Sequence, residues 1–243
     1  MADPRTSTSL EQSIRLWVGL FFTTLRNLEA MIHALHGAVG MAEDFQEILP
    51  EARAWNLWKL LTQGEISLVE AGARIASEAQ DGDALVGYSM GGRLALHALL
   101  SGKCQWGKVI IISAHPGLKK GHEERLQSDR DWATLAENDW PHFLNKWNDQ
   151  TILGSSPAWG ERSKLVPFQK EVARSFRCWS LALQENLRSR LGEITCPVRW
   201  IVGEHDLKFL ELAQEVVPLI PDATLEVIPG AGHRVPWEAG DLF

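Results

Sequence analysis

The sequence has few cysteines, and their spacing excludes two classes of protein. Cys104, Cys178 and Cys196 are the only cysteines among 243 residues. No two of them are arranged as CxxC, so the sequence predicts neither a zinc knuckle nor a disulfide framework. We interpret all three as small buried side chains in a protein of the reducing cytoplasm.

Positive charge is also scarce. The chain carries 24 lysines and arginines against 31 aspartates and glutamates, a formal net charge of -7. The basic residues do not run together in blocks. Nucleic acid and anionic membrane surfaces are therefore excluded as main partners, although the total charge leaves room for a local basic pocket.

Long apolar runs are almost absent. Residues 16–25 (LWVGLFFTTL) form a run that is too short to span a bilayer and is bracketed by Arg15 and Arg26. The residues that follow offer no convincing signal-peptide cleavage site. We predict an early core strand here and no stable membrane insertion; a membrane-proximal segment is the alternative.

Short apolar strands alternate with helical patterns along the rest of the chain. The predicted strands are residues 30–35, 52–57, 84–88, 108–113, 198–202 and 224–228, and the predicted helices are residues 42–49, 67–79 and 92–100. This alternation is typical of a mostly parallel sheet with helices on both faces. The sequence predicts an α/β fold with one substantial core.

Residues 115–192 interrupt that alternation. They contain no clear strand, and five tryptophans lie among many charges: Trp132, Trp140, Trp147, Trp159 and Trp179. We predict a helical cap or lid over residues 115–192 and a core built from residues 1–114 and 193–243. Packing inside the helical segment is the simplest role for most of these tryptophans.

A serine flanked by glycines follows the predicted strand at 84–88. Gly87-Tyr88-Ser89-Met90-Gly91 matches the G-x-S-x-G pattern between a strand and a helix. A serine hydroxyl reacts only when a neighbouring group takes its proton and when a tight turn exposes it. The pattern predicts Ser89 as a catalytic nucleophile or base.

The partners of Ser89 should follow in the order acid and then histidine. Asp206 comes just after the strand at 198–202, and His233 comes after the strand at 224–228. Since the carboxyl ends of parallel strands meet at one edge, we predict a Ser89–His233–Asp206 triad. Glu204 as the acid and His205 as the base are weaker alternatives.

Two backbone N–H groups are predicted to stabilise an oxyanion. One belongs to Met90, the residue after the serine, and the other to Ala38, after the turn His36-Gly37. We expect His36 itself to support this turn rather than to carry protons.

The triad and the His36-Gly37 turn together resemble the α/β-hydrolase superfamily over nearly the whole chain. GYSMGGR at 87–93, AHPGL at 114–118 and ERLQSDRDWA at 124–133 are similar, more narrowly, to the MenH family of 2-succinyl-6-hydroxy-2,4-cyclohexadiene-1-carboxylate synthases. Residues 56–64 (NLWKLLTQG) depart from the D-x-P-G-H-G-x-S turn that is common in the superfamily.

The narrower resemblance implies a lyase of menaquinone biosynthesis. Such an enzyme eliminates pyruvate from a polycarboxylate and uses its triad to remove a proton, with no metal or organic cofactor. The substrate-binding residues implied are Arg93, Arg125, Arg174, Tyr88 and Trp147. Asn148 stands where an aromatic residue is expected. Several arginines in one pocket suit a small anionic substrate, because a guanidinium pairs well with a carboxylate.

Two other classes of function remain open at this point. A carboxylesterase, thioesterase or C–C bond hydrolase would use the same triad with a mostly apolar pocket. A ligand-binding receptor would keep the fold without catalysis. The sequence leaves the oligomeric state undetermined.

Overall fold

Parallel strands build the centre of the structure. The computed structural model describes residues 30–153 and 162–239, so the run at 16–25 and Trp159 lie outside the described residues. The strands are β1 (Ile32–Leu35), β2 (Arg53–Trp55), β3 (Ala84–Tyr88), β4 (Lys108–Ile112), β5 (Val198–Gly203) and β6 (Ala223–Ile228). They form one sheet in the order β2-β1-β3-β4-β5-β6, with every neighbouring pair parallel.

Helices follow most of the strands. The α-helices are α1 (Ala42–Gln46), α2 (Leu68–Ser77), α3 (Met90–Leu99), α4 (His122–Asn138), α5 (Trp140–Asn148), α6 (Gln169–Cys178), α7 (Leu207–Val216) and α8 (Val235–Glu238). Ser67 caps α2 as a capping box with Glu70, whose backbone N–H donates to the Ser67 hydroxyl. Along residues 30–153 and 162–239, no helix has the length and apolar character needed to cross a bilayer.

The sheet separates two apolar cores. Along β4, Val109 and Ile111 pack into one core while Ile110 and Ile112 pack into the other. Successive side chains of a strand point to opposite faces, so continuous apolar strands are stable only when both faces are covered. The predicted α/β fold, a parallel sheet with both faces covered, is confirmed.

The regular elements in the described part of the segment between β4 and β5 are all helices. The segment contains α4, α5 and α6 and short 3₁₀ helices, and its described part has no strand. Trp132 packs edge-on against Trp147 with ring centroids 5.3 Å apart, and Trp179 is buried. These tryptophans form a packed aromatic core, while the division into a core and a cap stays a prediction.

One predicted helix is shorter than expected. The apolar spacing predicts a helix over 42–49, but α1 ends at Gln46. The chain then tightens into turns, in which the Leu49 N–H donates to the Phe45 carbonyl and the Ala52 N–H to the Leu49 carbonyl. Ile48 and Leu49 therefore pack from a turn, and β2 starts only at Arg53.

Candidate active site

Ser89 lies in a strained turn between β3 and α3. Its backbone has φ 52° and ψ -110°, a conformation that L-residues rarely adopt. A Cβ atom on Gly91 would lie 2.1 Å from the Leu35 carbonyl oxygen, and one on Gly87 would lie 2.6 Å from the Gly91 carbonyl oxygen. The flanking glycines are required because the backbones approach too closely for any side chain.

The structure brings Ser89, His233 and Asp206 together. His233 Nδ1 lies 2.7 Å from Asp206 Oδ2, and His233 Nε2 lies 3.1 Å from Ser89 Oγ. A carboxylate can only accept, so Nδ1 carries the proton and Nε2 is free to accept from the serine hydroxyl. This geometry can move a proton from Ser89 to His233 while Asp206 holds the imidazole in one tautomer.

Glu204 and His205, the alternative acid and base after β5, have other surroundings than the triad. Glu204 Oε2 accepts from the Gly230 N–H at 2.9 Å, where it fixes the turn after β6. His205 is exposed. Asp206 is the acidic residue of this loop that contacts His233.

The two residues predicted to form the oxyanion hole line the same cavity as Ser89. Met90 begins α3, so its N–H belongs to the first turn of the helix, which has no acceptor within the helix. Ala38 follows Gly37 and, like Met90, lines the cavity. Two N–H donors beside a reactive hydroxyl can stabilise a negatively charged oxygen.

His36 supports the turn that carries Ala38. Its Nε2 accepts from the Leu57 N–H at 3.2 Å, so its Nδ1–H donates to the Gly37 carbonyl at 2.8 Å. Complete burial lowers the pKa of His36 to about 4. The imidazole is therefore neutral near pH 7, as both hydrogen bonds require.

A 3₁₀ helix stands where the superfamily's glycine-rich turn was expected. Leu57–Leu61 forms this helix. The Trp58 indole N–H donates to the Gly40 carbonyl at 2.9 Å, and its ring centroid lies 5.0 Å from that of His36. The unusual segment at 56–64 therefore packs against the turn that carries Ala38 and supports it through Trp58.

A cavity of about 150 Å³ opens in front of Ser89 and His233. Tyr88 and Trp147, which are predicted to bind substrate, line it. Its charged lining residues, among those described, are one acid and four bases: Asp129, Arg93, Arg125, Lys208 and Arg234. The chain is acidic overall, but this cavity is cationic, which favours an anionic ligand.

Arg93 and Arg125 both reach the cavity, but each is also held by the protein. Arg93 donates through Nη2 to the Trp179 carbonyl at 2.8 Å and through Nε to Gln184 Oε1. Arg125 Nε donates to Asp129 Oδ2 at 2.8 Å. Burial lowers the pKa of Arg93 to about 9, with a further contribution from Arg125, and Arg93 remains charged at neutral pH.

The expected position of Arg174 is wrong. Arg174 is not among the cavity-lining residues, and its guanidinium donates to the Leu61 carbonyl and lies 3.9 Å from Glu171. Its helical neighbours Ser175 and Phe176 do line the cavity. Successive residues of an α-helix point about 100° apart, so the face of α6 that carries Arg174 is turned away.

Two cationic residues of the cavity were not anticipated from the sequence. Lys208 is the second residue of α7, two positions after Asp206, and Arg234 directly follows His233. Arg234 Nη2 donates to Asn148 Oδ1 at 2.8 Å, so the amide at the position of an expected aromatic residue binds a cationic side chain. Their closeness in sequence to the predicted triad is the signal that could have identified them.

No metal site accompanies this arrangement in the part of the chain that the structure describes, since no three His, Cys, Asp or Glu side chains cluster suitably for an ion. The three cysteines are all unpaired.

Comparisons with known proteins define the class of the chain. The model of the alpha/beta hydrolase family matches residues 33–243. The chain belongs to the α/β-hydrolase family, and we assign it as an enzyme of that family.

Individual relatives point to a narrower group. The chain is 30% identical to a Bacillus subtilis (strain 168) protein provisionally named 2-succinyl-6-hydroxy-2,4-cyclohexadiene-1-carboxylate synthase, over 89% of this chain and 88% of that protein. It is 34% identical to the Salmonella paratyphi A enzyme of that name, over 62% of this chain and 60% of the relative. The predicted resemblance to MenH is confirmed.

Solved structures share the fold. MenH from S. aureus superposes with a TM-score of 0.73 at 21% identity, covering 88% of this chain and 91% of that one. A thermophilic esterase from Thermogutta terrifontis, solved with malate bound, superposes with a TM-score of 0.66 at 18% identity, covering 86% of this chain and 85% of that one.

Proposed function

We propose that the chain catalyses the reaction of its MenH-like relatives, the elimination of pyruvate from a small polycarboxylate of the menaquinone pathway. One observation carries this proposal: the hydrogen-bonded Ser89–His233–Asp206 triad opens onto a cavity lined by four cationic side chains. An elimination needs a base beside the substrate, and a polycarboxylate needs several cations.

The relay supplies the base. His233 Nε2 accepts the Ser89 proton, and Ser89 Oγ removes a proton from a ring carbon of the substrate. The electron pair left on that carbon forms the second double bond of the cyclohexadiene, and the C–O bond to the leaving group breaks. The leaving group departs as the pyruvate enolate and then takes up a proton.

The N–H groups of Met90 and Ala38 stabilise the negative charge that develops on the substrate oxygen during proton removal. Arg93 and Arg125 hold substrate carboxylates, and Tyr88 and Trp147 form the walls beside them. Such positioning by bidentate cations suits carboxylates and would not suit a neutral ester. The cavity thus supports the lyase over a hydrolase that acts on apolar esters.

The experiment is incubation of the purified chain with the substrate of this synthase while pyruvate is measured with a coupled dehydrogenase. A parallel incubation contains p-nitrophenyl butyrate. We expect pyruvate release from the unaltered chain and a loss of about a thousandfold or more in Ser89→Ala. Rapid ester hydrolysis without pyruvate release would instead assign the chain to the hydrolases.

A further inference from the structure

Among the four cavity cations, Lys208 is the one with no hydrogen bond or ion pair to a described residue. Arg93 is held by Gln184 and the Trp179 carbonyl, and Arg125 is held by Asp129. Lys208 lines the same cavity, and its contact there is with the ring of Phe209. A cation that faces a cationic cavity in this way is stabilised when an anion enters.

The surroundings of Lys208 already disfavour its charge. Desolvation beside the cavity wall lowers the pKa of Lys208 although much of its side chain is exposed, the guanidinium of Arg125 lowers it further, and Asp206 offsets part of this effect. Lys208 and Arg125 thus repel each other across the cavity. A carboxylate between them would remove the repulsion and bind both.

Phe209 fixes the place of this cation relative to the catalytic groups. The Phe209 ring lies 4.6 Å from the His233 ring and packs edge-on against His115 at 6.4 Å. The Lys208 ammonium lies 5.8 Å from the centroid of the same Phe209 ring. An anion bound by Lys208 is therefore on the His233 side of the cavity, next to the proton relay.

We propose that Lys208 and Arg125 form a clamp for one carboxylate of the substrate. This inference rests on the proposed function for the identity of the substrate. It assigns to Lys208 the place that Arg174 does not occupy. Arg93, which is buried in the cavity wall, remains for the second carboxylate.

The test is a titration with 2-succinyl-6-hydroxy-2,4-cyclohexadiene-1-carboxylate, a dicarboxylate, followed by the fluorescence of Trp147 and Trp179 in the cavity wall. We expect Lys208→Met to raise Kd about tenfold and to reduce the dependence of Kd on salt concentration, because one ion pair is lost. Lys208→Arg keeps the charge and should stay within about threefold of the unaltered chain. Lys120→Met, which removes an exposed lysine outside the cavity, is the matched control.

Turnover gives an independent readout. In the pyruvate assay, Lys208→Met should raise KM about tenfold and change kcat by less than about threefold, since Lys208 binds substrate but moves no proton. A purely structural role would lower kcat and would not be rescued by arginine.

The two proposals fail in different ways. An equal Kd for Lys208→Met and the unaltered chain, or no binding of the dicarboxylate at all, would overturn the role of Lys208. Binding that depends on Lys208 without any release of pyruvate would leave the clamp in place and overturn the proposed function.

Discussion

His233 Nδ1 and Asp206 Oδ2 lie 2.7 Å apart, and both side chains are almost completely buried. The carboxylate therefore selects the imidazole tautomer whose Nε2 faces Ser89. Asp206→Asn should preserve the packing but favour the wrong tautomer. We expect kcat to fall by roughly a thousandfold or more, measured as pyruvate release.

Glu204 provides the matched control for Asp206. It is a carboxylate of the same loop, and its contact is with the Gly230 N–H. Glu204→Gln keeps an acceptor oxygen, so its kcat should stay within about twofold of the unaltered chain. A comparable loss in both variants would mean that general damage to the loop, and not the tautomer, explains the effect.

Gly91→Ala should destabilise the whole protein. The added Cβ would meet the Leu35 carbonyl oxygen at 2.1 Å, and two backbone segments would have to move apart. We expect a loss of roughly 2–4 kcal/mol in the free energy of unfolding, measured with urea. At Gly192 the nearest atom would lie 3.9 Å away, so Gly192→Ala should leave the midpoint of unfolding almost unchanged.

The chain should lose stability in mild acid. Burial lowers the pKa of His36 and of His97 to about 4 and that of His115 to about 3. The unfolded chain has pKa values near 6.5 at these histidines and binds more protons below that pH. The contribution of these histidines to the free energy of unfolding is therefore fully present above about pH 6.5. It falls as the pH drops towards 4, by about 1.4 kcal/mol per pH unit for each titrating histidine.

His97 offers a direct check on this acid sensitivity. Its Nε2 has no hydrogen-bond partner among the described residues, and Arg93 and Arg190 disfavour its protonation. Urea unfolding of His97→Leu at pH 7, 6 and 5 should show a shallower loss than the unaltered chain. His142→Asn, at an exposed position, should keep the full slope; an unchanged slope in His97→Leu would contradict the expectation.

Substitution of Arg125 should weaken substrate binding, whereas substitution of Arg174 should lower stability. Arg125 lines the cavity, whereas Arg174 donates to the Leu61 carbonyl outside it. Arg125→Met should raise KM for the polycarboxylate about tenfold or more, because a charged contact to the substrate is lost. Arg174→Met should lower the melting temperature by a few degrees and leave KM unchanged. A raised KM in Arg174→Met would restore it as a substrate contact.

The sequence predicts the elements of the sheet well because their patterns are local. The apolar runs of β3, β4 and β5 are buried over nearly their whole length, and their predicted bounds agree with the structure within one residue. Asp206, after β5, and His233, after β6, could be predicted as partners because parallel topology brings the carboxyl ends of the strands to one edge.

The substrate side of the site is harder to predict because it depends on which way a helix turns. The motif resemblance placed Arg174 in the cavity, but α6 presents Ser175 and Phe176 there instead. Lys208 enters the cavity from the first turn of α7 and Arg234 from the loop after β6, and their side chains carry no motif of their own. Their role depends on tertiary packing, which a single sequence does not encode in its local pattern.

Ser89 and Arg93 belong to one helical turn. Ser89 is the N-cap residue of α3, and the Arg93 N–H donates to the Ser89 carbonyl at 3.1 Å. The two residues are about one turn apart, or about 6 Å along the helix axis. The separation of the two backbones is therefore fixed by the helix, while Gln184 and the Trp179 carbonyl hold the guanidinium of Arg93. α3 thus sets the spacing between the nucleophile and the first cation, which favours ligands whose carboxylate lies at a matching distance from the reacting carbon.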